Sequence, residues 1–243
     1  MKRVRWECAA LAALAVGLGA SASRAASKEA VAGVVISMQG QPMTKPNGEK
    51  EFKKLKLNQF VYEKDVIKTA AGERAAVAFV GGAELRINES SEFVMQSGGG
   101  RKETSVFTQA GQAWTRLLHG RAGMRVGSPL AVAAVRGTEA DVDVAARMTV
   151  KVYEGHVNVQ NEFGKQDLKA GQMTQVAGGL APEAPRQMGQ GEYGTWQNGL
   201  QANGLDKNLK RLRKEADKNR TMELKYKKDD GTQGSVKIKL KKK

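Results

Sequence analysis

Residues 140–160 read ADVDVAARMTVKVYEGHVNVQ. Val142 and Val144 alternate with Asp141 and Asp143, and Val150 and Val152 with Lys151 and Tyr153. After the turn signal Glu154-Gly155, Val157 and Val159 alternate with Asn158. A period of two places one set of side chains on each face of an extended chain, the pattern of half-buried strands. Ala140–Val144, Thr149–Tyr153 and Val157–Gln160 are therefore strands, with no room for a helix between them.

The same reading extends in both directions. Upstream it gives Val31–Gln39, Asp65–Thr69, Ala75–Val80, Leu85–Ile87, Phe93–Gln96, Met124–Val126 and Leu130–Val135. Val106–Leu118 is broken at Ala110-Gly111 and reads as two strands rather than one helix. Downstream, Leu168 and Met173–Val176 close the series. Roughly a dozen strands in close succession, without helical intervals, predict an all-β sandwich or barrel.

The chain has 243 residues, 40 Lys+Arg and 25 Asp+Glu, for a formal net charge of +15. A basic excess of that size suggests a polyanionic partner, so its location matters. Residues 207–243 carry 15 basic and 5 acidic side chains, while residues 26–206 carry 21 and 19. The β region is nearly neutral, and the charge is an appendage.

Residues 1–25 read as a secretory signal: basic at Lys2, Arg3 and Arg5, then apolar from Cys8 to Ala20. That run is short of the ~20 apolar residues needed to cross a bilayer. Small-residue triplets at Ala20–Ala22 and Ser23–Ala25 offer cleavage sites. Cleavage would remove Cys8, the one cysteine, which excludes a disulfide framework and a cysteine zinc site. Residues 26–176 are the expected β domain. Residues 177–204, rich in Gly with Pro182 and Pro185, read as a linker to which Tyr193 and Trp196 give a docking point. Residues 205–243 read as a short amphipathic helix, Leu205–Arg220, with Leu205, Leu209, Leu212 and Ala216 in one stripe. A basic hairpin follows, turning at Asp229-Asp230-Gly231.

Four phrases in the β region together resemble the FecR domain. They are Asp65–Thr69 with Gly72–Val77, then Ala134-Val135-Arg136-Gly137-Thr138-Glu139, then Val152–Val159, and last Leu168-Lys169-Ala170-Gly171-Gln172. Their order and spacing agree over about residues 31–176. The resemblance implies an exported β-sandwich of jelly-roll type that mediates protein contacts and not catalysis. In full-length members this domain lies beyond an inner-membrane helix and relays a signal from an outer-membrane receptor to a cytoplasmic sigma factor. This sequence departs from that plan: no sigma-factor-holding segment precedes the β region, and Ala140 stands where a bulky apolar residue is usual. The expectation is a stand-alone secreted FecR-like protein.

Candidate sites follow from charge and spacing. Arg136, Gly137, Thr138 and Glu139 could form a docking pair across a tight turn, or a clamp between strands. Glu139, Asp141 and Asp143 share one strand face, which suits calcium or acid–base chemistry but more simply a solvated face. His119 and His156 have no metal-type spacing. Gly189–Gly194 fits a dinucleotide fingerprint but lacks the strand before and the helix after it. Lys225, Lys227, Lys237 and Lys239 either attract a polyanion or guard a sheet edge against aggregation.

The reading is thus of a non-enzymatic exported module in the periplasm or outside the cell, with no cofactor, no metal and no catalytic residue. Its expected partner is an envelope protein or polysaccharide, with an anionic lipid or polymer for the C-terminal lysines and no nucleic acid. The other reading is a periplasmic regulator in receptor-to-sigma-factor signalling.

Overall fold

The computed structural model describes residues 29–99, 103–118, 123–136, 139–200, 202, 204–218, 221–227 and 233–239, the last two segments as backbone. The signal at 1–25 lies outside the described residues. The chain runs through β1 (Val31–Gln39), β2 (Met43–Lys45), β3 (Lys53–Lys54), β4 (Phe60–Tyr62), β5 (Val66–Thr69) and β6 (Arg74–Phe79). It continues through β7 (Ala83–Ile87), β8 (Ser91–Gly98), β9 (Thr104–Thr108), β10 (Gly111–Leu117), β11 (Met124–Gly127) and β12 (Val132–Val135). Next come β13 (Glu139–Val144), β14 (Arg147–Glu154), β15 (His156–Asn161), β16 (Gly164–Lys169), β17 (Gln172–Ala177) and β18 (Arg186–Gln187). The series ends with α1 (Leu205–Lys218), β19 (Thr221–Lys227) and β20 (Gln233–Lys239).

The fold is the all-β sandwich expected. Among the described residues the first sheet has nine strands in the order β18-β17-β14-β13-β10-β7-β6-β1-β4, and the second has nine in the order β16-β15-β12-β11-β9-β8-β5-β2-β3. The chain passes from sheet to sheet in short visits, one to two strands at a time. One such crossing leaves β9 and β11 as parallel neighbours while β10 lies in the other sheet. The break at Ala110-Gly111 is where β9 gives way to β10.

The alternation seen in the sequence becomes the core. Val77, Leu85, Ala113, Val142 and Val150 from the first sheet meet Ile67, Phe93, Val106, Ala133 and Val159 from the second. All ten are fully buried. Gly98 lies against β1: a Cβ there would stand 2.4 Å from the Ala32 Cα, so only glycine fits.

A second apolar cluster lies on the outer face of the first sheet. Val34, Ile36, Ala76 and Ala78 of β1 and β6 are covered by Leu209 and Leu212 of α1, with Leu205 and Ala216 beside them. The predicted helical stripe is therefore packed on the sandwich. Lys207, Lys210, Arg213 and Lys214 face solvent, and the Arg211 guanidinium lies over the Phe60 ring at 5.3 Å. The predicted C-terminal hairpin is β19 paired antiparallel with β20. No helix among the described residues is long and apolar enough to cross a membrane.

Candidate functional site

The outer face of the first sheet, beyond the part under α1, is polar and yet covered. Residues 186–200 cross it as a strap. The strap begins as β18, paired to β17 through Gln172 and Met173, and continues in two short 3-10 turns, Gln190–Glu192 and Trp196–Gly199. Its composition, read as a linker, is what a segment of tight turns requires.

Asp141 is the centre of the covered face. It is 2% exposed. Its carboxylate accepts from the Trp196 indole at 3.0 Å and from the Gln112 amide at 3.0 Å to each oxygen. Gln112 in turn accepts from Asn88 at 2.6 Å, and Asn88 accepts from the Arg74 guanidinium at 2.9 Å. Arg74 lies over the Trp196 ring at 5.8 Å, which closes the circuit. Burial raises the Asp141 carboxyl to about 6, against the lowering effect of Trp196, Gln112 and the nearby Lys151. The Tyr153 hydroxyl, which accepts from the Gly194 backbone at 3.1 Å, is pushed up to about 12 by burial and by Asp141.

A second charged group sits further along the same face. Glu84, fully buried, accepts from Arg86 at 2.7 Å and from Arg116 at 2.9 Å. Both guanidiniums also lie over the Trp114 ring, at 4.5 and 5.4 Å. Arg86 also donates to the Gln197 carbonyl of the strap at 2.6 Å. A carboxylate out of water is tolerable only with such pairing.

A polar cavity of about 240 Å³ lies beside the strap. Asp141 and Asp143 of β13, Thr149 and Lys151 of β14, and Met173 and Gln175 of β17 form its floor. Arg186 and Glu192 of the strap form its rim, joined by two hydrogen bonds at 2.7 and 2.5 Å. Arg186, with the Gly189 backbone, holds the Glu192 carboxyl down to about 2. Lys151 donates to the Glu192 carbonyl at 2.7 Å. A larger concavity of about 470 Å³ lies on the other sheet, between Lys68, Glu92, Val94, Phe107 and Gln109. It holds no buried charge.

Of the expected sites, Arg136 is exposed, and its backbone N–H donates to the His156 carbonyl at 2.9 Å. Glu139 is half-buried on β13, opposite Arg116 in register, and makes no ion pair with Arg136 among the described residues. Gly137, Thr138 and His119 lie outside the described residues. In the hairpin, register places Lys237 opposite Glu223, Lys239 opposite Thr221, Lys225 opposite Ser235 and Lys227 opposite Gln233. These four lysines therefore occupy alternate positions along the two strands.

The solvated face expected for Glu139, Asp141 and Asp143 needs correction. Asp143 is exposed, but Asp141 is buried because the strap lies over it. No group of three metal-ligating side chains is assembled among the described residues. Gly189–Gly194 is part of the strap, follows a two-residue strand, and opens no helix of the dinucleotide kind. Trp196 and Tyr193 do dock the segment, Tyr193 against the Tyr153 ring at 5.9 Å. Glu84, Arg86 and Trp114 were not anticipated, although the alternation of Glu84 and Arg86 with Ala83, Leu85 and Ile87 was legible as an outer face.

No curated protein matches the chain. Two crystal structures of a candidate anti-sigma factor from Parabacteroides distasonis ATCC 8503, at 1.65 and 2.50 Å resolution, are similar to it at 16% identity with a TM-score of 0.45. Each comparison covers 50% of this chain and 59% of the other, so this chain spans less than two thirds of their length. The FecR resemblance carried by Asp65–Thr69, Gly72–Val77, Ala134–Glu139 and Val152–Val159 is a match to the FecR protein family over residues 65–158, the strands from β5 into β15.

Proposed function

We propose that this chain is a non-enzymatic, exported binding module of the cell envelope, whose FecR-type sandwich presents its surfaces to an envelope protein or polysaccharide. The observation that carries the reading is the FecR match at the centre of a two-sheet sandwich. The polar outer face supports it: its buried charges are joined in pairs and circuits that rigidify a surface. The basic C-terminal segment, with Lys225, Lys227, Lys237 and Lys239, holds the module at an anionic lipid or polymer. The family match also favours a second reading, a periplasmic regulator in receptor-to-sigma-factor signalling.

The test is affinity capture from envelope extract with the mature protein, followed by co-sedimentation with purified envelopes at rising salt. The comparison is the full chain against one ending at Lys218, which keeps α1 on the sandwich. Loss of salt-sensitive sedimentation in the shorter chain supports the anionic anchor, and equal binding removes it. Capture of a transducing receptor or an anti-sigma partner favours the regulatory reading.

A further inference from the structure

We infer that the cavity beside the strap binds a neutral polyhydroxyl ligand, one ring of an envelope saccharide. The inference rests on reading the chain as a binding module, and it names a ligand class for that module.

Unspent hydrogen-bonding capacity decides the ligand class. Most groups around the cavity are already committed. Asp141 accepts from Trp196 and Gln112, Gln112 is also held by Asn88, and Arg186 is joined to Glu192. Four groups keep capacity. The Asp143 carboxylate accepts no hydrogen bond among the described residues, and the Gln175 amide uses only its nitrogen, donating to Thr149 at 3.3 Å. Thr149 keeps its hydroxyl proton. Lys151 spends one ammonium hydrogen on the Glu192 carbonyl and has two more. Burial raises the Asp143 carboxyl with Lys151 as its compensating charge, the condition of an acceptor short of donors.

The open set is thus two acceptors, one donor and one group that can serve as either, around a space of about 240 Å³. A hydroxyl both donates and accepts, so neighbouring ring hydroxyls can satisfy all four at once. Anionic ligands are disfavoured. Asp141, Asp143 and Glu192 outnumber Lys151 and Arg186, and a phosphate or uronate would add like charge to a recessed site. Trp196, bonded to Asp141 at the cavity wall, is a built-in optical reporter.

The experiment places the mature protein on an array of neutral and acidic bacterial glycans, then titrates the retained glycan while following tryptophan fluorescence. The expected result is retention of neutral glycans and a fluorescence change on titration. Asp143→Ala should weaken affinity by about tenfold or more, the loss of a charge-assisted hydrogen bond. Gln175→Ala should weaken it less. Both positions are at least partly exposed, so both variants should keep the wild-type melting temperature. Retention of acidic glycans alone, retention of none, or undiminished binding by Asp143→Ala would overturn the inference. If one of those overturning results is found while envelope capture with the wild-type protein still retrieves a partner, the binding module stands and its saccharide site falls.

Discussion

At the scale of the residue, Asp141 carries the most consequence. Its folded value of about 6 stands above the ~3.9 of an unfolded aspartate. The folded state therefore holds the proton more tightly. The stability this contributes is complete below pH ~4 and is lost as pH rises through about 6, by ~3 kcal/mol at most. Asp141→Asn should accordingly flatten the fall in unfolding free energy between pH 4.5 and 7.5, measured by urea titration, while the slopes from Asp143 and Asp65, both also raised by burial, remain. Trp196→Phe keeps an aromatic ring under Arg74 and removes only the indole donor. It should cost about 2 kcal/mol at pH 8, where the carboxylate is ionised, and less at pH 5, where it is largely protonated. Equal costs at both pH values would show that the indole bond is not what holds the strap. Asp141 and Asp143 occupy equivalent places in the alternation, yet one is buried and one exposed. A period of two says which face a side chain takes and is silent on what later covers that face.

At the scale of the element, the strands that were legible are those long enough to repeat. β13, β14 and β15 each run six to eight residues with apolar positions at every second place. β3 and β18 have two residues and β2 and β4 have three, too few for a period, and they exist because neighbours offer them an edge. The strap was hidden differently: its glycines and prolines are the same whether a segment spans solvent or folds back in tight turns. Only Tyr193 and Trp196 marked it. The helix was plain in its stripe of leucines, but the stripe did not say that β1 and β6 are apolar on both faces, which is what receives it. Leu212 is fully buried in that contact. Leu212→Ala should cost ~2–5 kcal/mol in urea unfolding, whereas Lys210→Ala, on the exposed side, should change stability by under ~0.5 kcal/mol. Limited proteolysis of Leu212→Ala should release the C-terminal segment first.

At the scale of the whole molecule, the overall charge of +15 is unevenly divided, with residues 26–206 nearly neutral and residues 207–243 strongly basic. The division does not fall where the composition changes, because α1 carries charge on one side and completes the sandwich with the other. A chain ending at Lys218 should melt within a few degrees of the full protein, and by shedding nine basic and three acidic side chains it lowers the formal charge from +15 to +9. A chain ending at Pro185 should lack both strap and helix and should bind a hydrophobic dye or aggregate, by light scattering, under conditions where the longer chain stays monodisperse. The reason reaches back to how the protein is made. Val34 and Ile36 are among the first residues of the described chain, and Leu209 and Leu212, which cover them, are among the last. During synthesis, β1 and β6 must wait for more than a hundred further residues before their outer side is dry. Throughout that interval the nascent protein carries a sticky strip along one sheet, and any factor that accompanies it during biogenesis has that strip to hold until α1 displaces it.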